Sequence, residues 1–134
     1  MKFFPSVILI GIITLGVATI ALSFKLSSKY TDNVTCQLTG KSHRIVIQGD
    51  RMKPSQVHAN LCDKLTIINQ DNKTRLIAFG EHDEHKSYDG VSEKFLKKNQ
   101  SLEVTLKRAG NFKFHDHLQE YLTGSFTVTE PAIP

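Results

Sequence analysis

Phe112-Lys113-Phe114-His115-Asp116-His117, close to the end of a 134-residue chain, reads as a strand that runs into a polar terminus. Side chains alternate across a strand, so Phe112 and Phe114 share one face. His115 and His117 share the other while extended pairing lasts, with Asp116 opposite them. Three metal-capable side chains in a row are costly to bury and are not needed to pack an apolar core. A second group, Glu81-His82-Asp83-Glu84-His85, stands about thirty residues upstream, and four of the chain's six histidines fall in the two groups. They read as two halves of one site.

Working outward, the N-terminal part is set off from the rest. Val7–Phe24 (VILIGIITLGVATIALSF) is eighteen residues without a charge, long enough to span a bilayer with little tilt. A secretory signal has a shorter apolar core and a clear small-x-small cleavage site, and Ala18-Thr19-Ile20-Ala21-Leu22-Ser23 offers only weak candidates. The expectation is one uncleaved transmembrane helix as a membrane anchor over residues 1–25, a polar linker over 26–33, a domain over 34–130 and a tail over 131–134. Lysines flank the apolar run on both sides (Lys2, Lys25, Lys29), so charge counting does not orient it. The short N-terminus favours a single-pass protein of the cell membrane with its domain on the extracytoplasmic side.

Of seventeen Lys and Arg, three flank the apolar run and all thirteen acids lie beyond residue 30, which leaves the domain fourteen cations against thirteen acids, or +1. The basic balance belongs to the membrane flanks, and nucleic acid is not an expected partner. Cys36 and Cys62 are the two cysteines. In a small exported domain a disulfide between them is the natural reading. The competing reading, metal thiolates or free thiols, has against it a spacing unlike C-x-x-C and the distance in sequence from the histidines.

The domain itself is a series of short β-type runs: Arg44–Gln48, Lys64–Asn69, Arg75–Phe79, Leu102–Lys107, Phe112–His117 and Ser125–Thr129. Leu102-Glu103-Val104-Thr105-Leu106-Lys107 alternates cleanly and should bury one face. Pro54 keeps Met52–Ser55 out of a central strand. Glu81–Gln100 is the one long stretch without strand character, with a turn of helix expected around Val91–Leu96. Long irregular segments in compact domains tend to carry function, and this one holds His82, His85, Tyr88, Asp89 and Glu93. Short strands separated by turn signals at this spacing argue for an all-β sandwich.

Taken in order, these pieces resemble a cupredoxin. Cys62-Asp63-Lys64-Leu65-Thr66-Ile67 with Asn69 and Asp71 is similar to the family's G-D-x-V-x-F-x-N-x-D. Lys98-Asn99-Gln100-Ser101-Leu102 stands where the family has P-G-x-S-x. Ala109–His115 resembles P-G-T-Y-x-Y-x, and Leu122–Val128 resembles M-x-G-x-F-x-V. The set is similar to the cupredoxin-like domains grouped with the periplasmic iron-uptake protein EfeO. The resemblance implies a cupredoxin-like Greek-key β-sandwich. It also maps the blue-copper ligands onto Arg75 or its vicinity for the first His, Asp116 for the Cys, Gln119 for the second His and Leu122 for the axial Met. All four types are lost, so a copper–thiolate bond cannot form here.

In their place stand His82, His85, His115, His117 and Asp116, the expected metal ligands, with Asp116 read either as a ligand or as an orienting partner of a ligating histidine. A subgroup of cupredoxin-like domains has a similar Tyr-x-Gly segment and terminal H-D-H-L, matched by Tyr88-Asp89-Gly90 and His115-Asp116-His117-Leu118. Imidazole and carboxylate without thiolate suit a divalent ion, Cu(II) first and Zn(II) as the alternative. The expected role is binding, delivery or sequestration, with a redox or metal-transfer protein as a candidate partner. A metal-free interaction module of the cell envelope is the second reading and a small copper enzyme the third. An enzyme is not expected, because no nucleophile, acid–base pair or substrate pocket is legible. His43 and His58 lie outside both groups and read as surface residues.

Overall fold

The computed structural model describes Cys36 and residues 40–130. The expected membrane helix, the linker and the tail all lie outside the described residues. Among the described residues no helix is long and apolar enough to cross a membrane.

Among the described residues, ten strands make two sheets. The first holds β1 (Ser42–Ile47), β2 (Met52–Lys53), β4 (Lys64–Asn69) and β8 (Ser101–Thr105) in the order β2-β1-β4-β8. The second holds β3 (Gln56–Asn60), β5 (Arg75–Glu81), β6 (Glu84–His85), β9 (Gly110–Asp116) and β10 (Gln119–Thr129) in the order β3-β10-β9-β5-β6, with β7 (Glu93–Leu96) also paired to β5. Two pairings are parallel, β1 with β4 and β3 with β10. The rest are antiparallel.

The strands form where alternation demanded them. In β4 Leu65, Ile67 and Asn69 turn inward, and in β8 Leu102 and Val104 do. These residues meet Ile45 and Ile47 of β1 and an aromatic group from the second sheet. There Phe79 lies 6.2 Å from Phe126 and 5.9 Å from Tyr88, ring centroid to centroid, mostly edge to face or tilted, an arrangement favoured by the ring quadrupoles. Cys36 and Cys62 are joined in a disulfide. Beside it buried Asp63 accepts hydrogen bonds from the backbone N–H of Lys41 (2.7 Å) and Asn60 (2.9 Å) and meets His43 Nε2 at 2.8 Å. Burial alone pushes this carboxyl up, but those three partners outweigh it and hold it below its ordinary value.

The Glu81–Gln100 stretch departs from expectation. It carries β6, a Tyr88–Val91 bridge and β7. The turn of helix expected near Val91–Leu96 is an edge strand, because Glu93–Leu96 completes the ladder of β5 and drops Leu96 into the core while Phe95 faces out. Pairing to a central strand overrides a weak local preference.

Candidate metal centre

The site is built by two pieces of backbone. One is the end of β9 with the turn that follows it. The other is the tight β5–β6 hairpin, in which Gly80 pairs with His85 and Glu81 with Glu84. Gly80 has φ +96°, and a Cβ there would stand 2.4 Å from the Glu84 carbonyl oxygen. Only glycine lets the hairpin close this tightly. The closed hairpin holds His82 at its tip and His85 on its return strand, over the outer face of β9.

Alternation along β9 sorts the H-D-H residues. Phe114 points into the core, so His115 points to the outer face under the hairpin. The His115 ring is buried, and its Nδ1 lies 3.2 Å from the Gly80 carbonyl oxygen. A carbonyl only accepts, so Nδ1 carries the proton and Nε2 presents a lone pair. That Nε2 is buried with no hydrogen-bond partner. Burial lowers the pKa of His115, and the neighbouring imidazoles of His85, His117 and His82 add to this against the Gly80 carbonyl. The ring is therefore held in its neutral form, the state that ligates metals.

His117 opens the turn after β9, where its backbone N–H donates to the Leu76 carbonyl at 2.7 Å. Its Nδ1 lies 3.0 Å from Nε2 of His85. One nitrogen from each of His85, His115 and His117 lies within 4.8 Å of the other two. Imidazole nitrogens bound at 2.0–2.1 Å to a tetrahedral ion stand about 3.4 Å apart, so the trio closes on an ion with side-chain shifts of about 1 Å. The orphaned Nε2 of His115 is the feature that makes these residues fit a metal: a buried acceptor is left without a donor where three imidazoles converge. The Nδ1 of His85 stands 3.7 Å from Glu93, and Gly80 backs His115, so two of the three rings have an oxygen behind them, as ligating imidazoles do.

His82 belongs to the same cluster by contact. Its ring stacks on His117 at 5.1 Å and lies 5.7 Å from His115. Both its nitrogens face carboxylates, Nδ1 to Asp83 at 3.1 Å and Nε2 to Glu120 at 2.8 Å. Glu120 comes from a stretch where the β9–β10 ladder shifts register between Gln119 and Thr123. Sequence reasoning did not single it out, although it follows the H-D-H-L motif by two residues. The Gly80 carbonyl has no signature in sequence at all.

Asp116 is not brought into the group. It is fully buried on the Phe114 side of β9, where Oδ2 accepts from Arg75 Nη1 at 3.0 Å and Oδ1 from the backbone N–H of Leu76 and Leu118, both at 3.1 Å. Alternation sends it away from His115 and His117, and its oxygens are already engaged. Arg75 also donates to Gln119 Oε1. Three of the four positions to which the resemblance assigns copper ligands are thus joined in one hydrogen-bonded group, with buried Leu122 as the fourth. Tyr88 and Asp89 shape the loop instead: the Tyr88 hydroxyl donates to the Arg108 carbonyl at 3.2 Å, and Asp89 accepts from the Thr105 N–H at 2.9 Å.

No family model and no curated protein matches the sequence. Solved structures do. An amicyanin variant in the reduced state superposes with a TM-score of 0.55 at 19% identity, covering 66% of this chain and 82% of that one. A second amicyanin variant, described with Cu(I), gives the same figures, TM-score 0.55 and 19% identity over 66% and 82%. A purple cupredoxin from Nitrosopumilus maritimus gives a TM-score of 0.56 at 17% identity, covering 64% of this chain and 98% of its own. Two facing sheets, the order of their strands and these superpositions agree: the described domain has the cupredoxin fold.

Proposed function

We propose that this protein is a metal-binding cupredoxin-like domain, anchored to the cell membrane by residues 1–25 and held on the extracytoplasmic side, that takes up a divalent ion for delivery or sequestration. His85, His115 and His117 are the ligands, with His82 beside them. The supporting observation is the buried, unpartnered Nε2 of His115 facing two further imidazoles. Cu(II) is the favoured ion, since an all-imidazole set lacks the soft sulfur that Cu(I) selects; Zn(II) is the alternative. The bound ion would be cargo, handed on to or received from a redox or metal-transfer protein.

The test is titration of residues 31–134 with Cu(II) and Zn(II), beside elemental analysis of protein purified without a histidine tag. His115→Ala and His117→Ala should each weaken binding at least tenfold. Equal affinity in both variants would end the proposal. A second reading, a metal-free interaction module, draws on Leu118 and Tyr121, which are 54% and 70% exposed and follow His117 closely in sequence. It requires zero stoichiometric metal in the purified protein and loss of a captured partner on deleting 81–89.

A further inference from the structure

Arg75 is the largest fully buried side chain among the described residues, and it is a cation. Its Nη1 serves Asp116 and Gln119, and its Nη2 serves Asp71 at 2.5 Å and Asp50. The four acceptors come from four places: the β1–β2 turn, the β4–β5 turn, the end of β9 and the start of β10. One guanidinium therefore ties together the loops at one end of the sandwich, three of them through carboxylates. Asp71 also accepts from the Gly49 N–H at 2.6 Å, and Lys73 reaches Asp50 at 3.2 Å. Of the three Arg75 nitrogens, Nε alone is buried without a partner.

The group reaches the imidazoles through one residue. Asp116 sits between His115 and His117 in sequence. Its Oδ2 is held by Arg75 and its Oδ1 by the N–H of Leu76 and Leu118, the residues that flank the His117 turn in space. The His117 N–H closes the same turn on the Leu76 carbonyl. A buried carboxylate is fixed in place by the donors that hold it, and a charge-assisted hydrogen bond from a buried guanidinium is the strongest of them. With that partner absent, the anchor of the turn and the direction of the His117 ring are lost together.

We propose that Arg75 is a positioning residue for the imidazole site: through Asp116 it holds the His117–Leu118 turn in the one conformation that aims His117 at His85 and His115. This rests on the metal-binding reading but makes a separate claim, that the ligand geometry is set from the far face of β9. It assigns Asp116 a role without making it a ligand.

The experiment uses the full chain in detergent micelles, with the imidazole 15N–1H spectra of the metal-free protein and Cu(II) titration read by electron paramagnetic resonance. Asp116→Asn keeps the shape and the Oδ1 acceptor but removes the charge that Arg75 holds. It should convert His117 from one tautomer to an averaged pair and weaken Cu(II) binding at least tenfold with an altered hyperfine pattern. Asp50→Asn, which touches Arg75 but not the turn, should leave the His117 spectrum unchanged and affinity within twofold. Unchanged His117 signals in a folded Asp116→Asn protein would overturn the proposal. Equal damage from Asp50→Asn would also overturn it, since the effect would then be general loosening. Should Asp116→Asn not fold, Arg75→Lys keeps a buried cation but cannot hold Asp116 with the guanidinium's fork. A broadened His117 signal there supports the claim and an unmoved one refutes it. If the unmodified chain binds no Cu(II), the functional reading falls, while the metal-free spectra still decide this one.

Discussion

His115 shows how little separates a core residue from a candidate metal ligand. The ring is as buried as its neighbour Phe114, yet one nitrogen is bonded to the Gly80 carbonyl and the other to nothing. Replacing it by Phe removes an unsatisfied acceptor. His115→Phe is thus expected to keep or raise thermal stability of the metal-free protein, by up to about 1 kcal/mol, while abolishing tight metal binding; calorimetry beside metal titration checks both. At the other extreme of charge, Asp63, Asp71 and Asp50 all have carboxyls held below their ordinary value of 3.8, by hydrogen bonds and cations that overcome burial for the first two, and chiefly by Arg75 for Asp50. The unfolded chain takes up these protons first as pH falls. Their contribution is therefore complete above the ordinary carboxyl range and drains away below it, as each folded carboxyl titrates. Asp63→Asn should lower stability at neutral pH by about 1–3 kcal/mol and flatten the loss below the ordinary carboxyl range, measured by urea denaturation at falling pH. The metal candidates were visible at this scale because histidines beside acids on alternating strand positions have little structural excuse. Glu120 and the Arg75 group were not, since hydrogen-bond partners distant in sequence leave no local pattern.

Hairpins and ladders carry the next level. The β5–β6 hairpin brings His82 and His85 over β9 because Gly80 adopts a φ that other residues resist. Gly80→Ala is expected to cost at least about 1 kcal/mol from the conformation alone, and to weaken metal binding further by displacing both histidines and the carbonyl behind His115. A joint fall in melting temperature and affinity would show it; a fall in stability with affinity intact would not fit. Within β10, Gly124 lies against the Phe114 ring, where a Cβ would stand 2.3 Å from Cζ. Gly124→Ala should cost about 1–3 kcal/mol as overpacking and leave the imidazoles in place, so affinity per folded molecule stays constant. Strand positions were largely legible: Lys64–Asn69 appears as read, and Arg75–Phe79 and Ser125–Thr129 sit inside longer strands. β6 and β7 were not legible, because a two-residue strand and a polar edge strand exist only by virtue of the neighbour they pair with.

Across the whole domain, two apolar sheet faces and one covalent link hold the ends together. The Cys36–Cys62 disulfide spans 26 residues of sequence, for which loop-closure entropy assigns about 3.5 kcal/mol. Replacing both cysteines by serine should lower stability by roughly that amount, read by chemical denaturation, with little effect on the remote imidazoles. The sandwich class was readable from strand spacing alone, and its likeness to the cupredoxin fold from an ordered set of weak motifs. What the motifs could not show was the hydrogen-bonded group that Arg75 forms with Asp116 and Gln119, on the face of β9 opposite His115.

The strand order has a bearing on synthesis. β3 lies at a sheet edge with β10 as its ladder partner, pairing Gln56 with Ser125 and Asn60 with Thr129. Strands so far apart along the chain meet slowly, after a large loop has closed. A nascent polypeptide therefore carries β3 unpaired until β10 leaves the ribosome, and one cut short before β10 exposes an open edge to its neighbours.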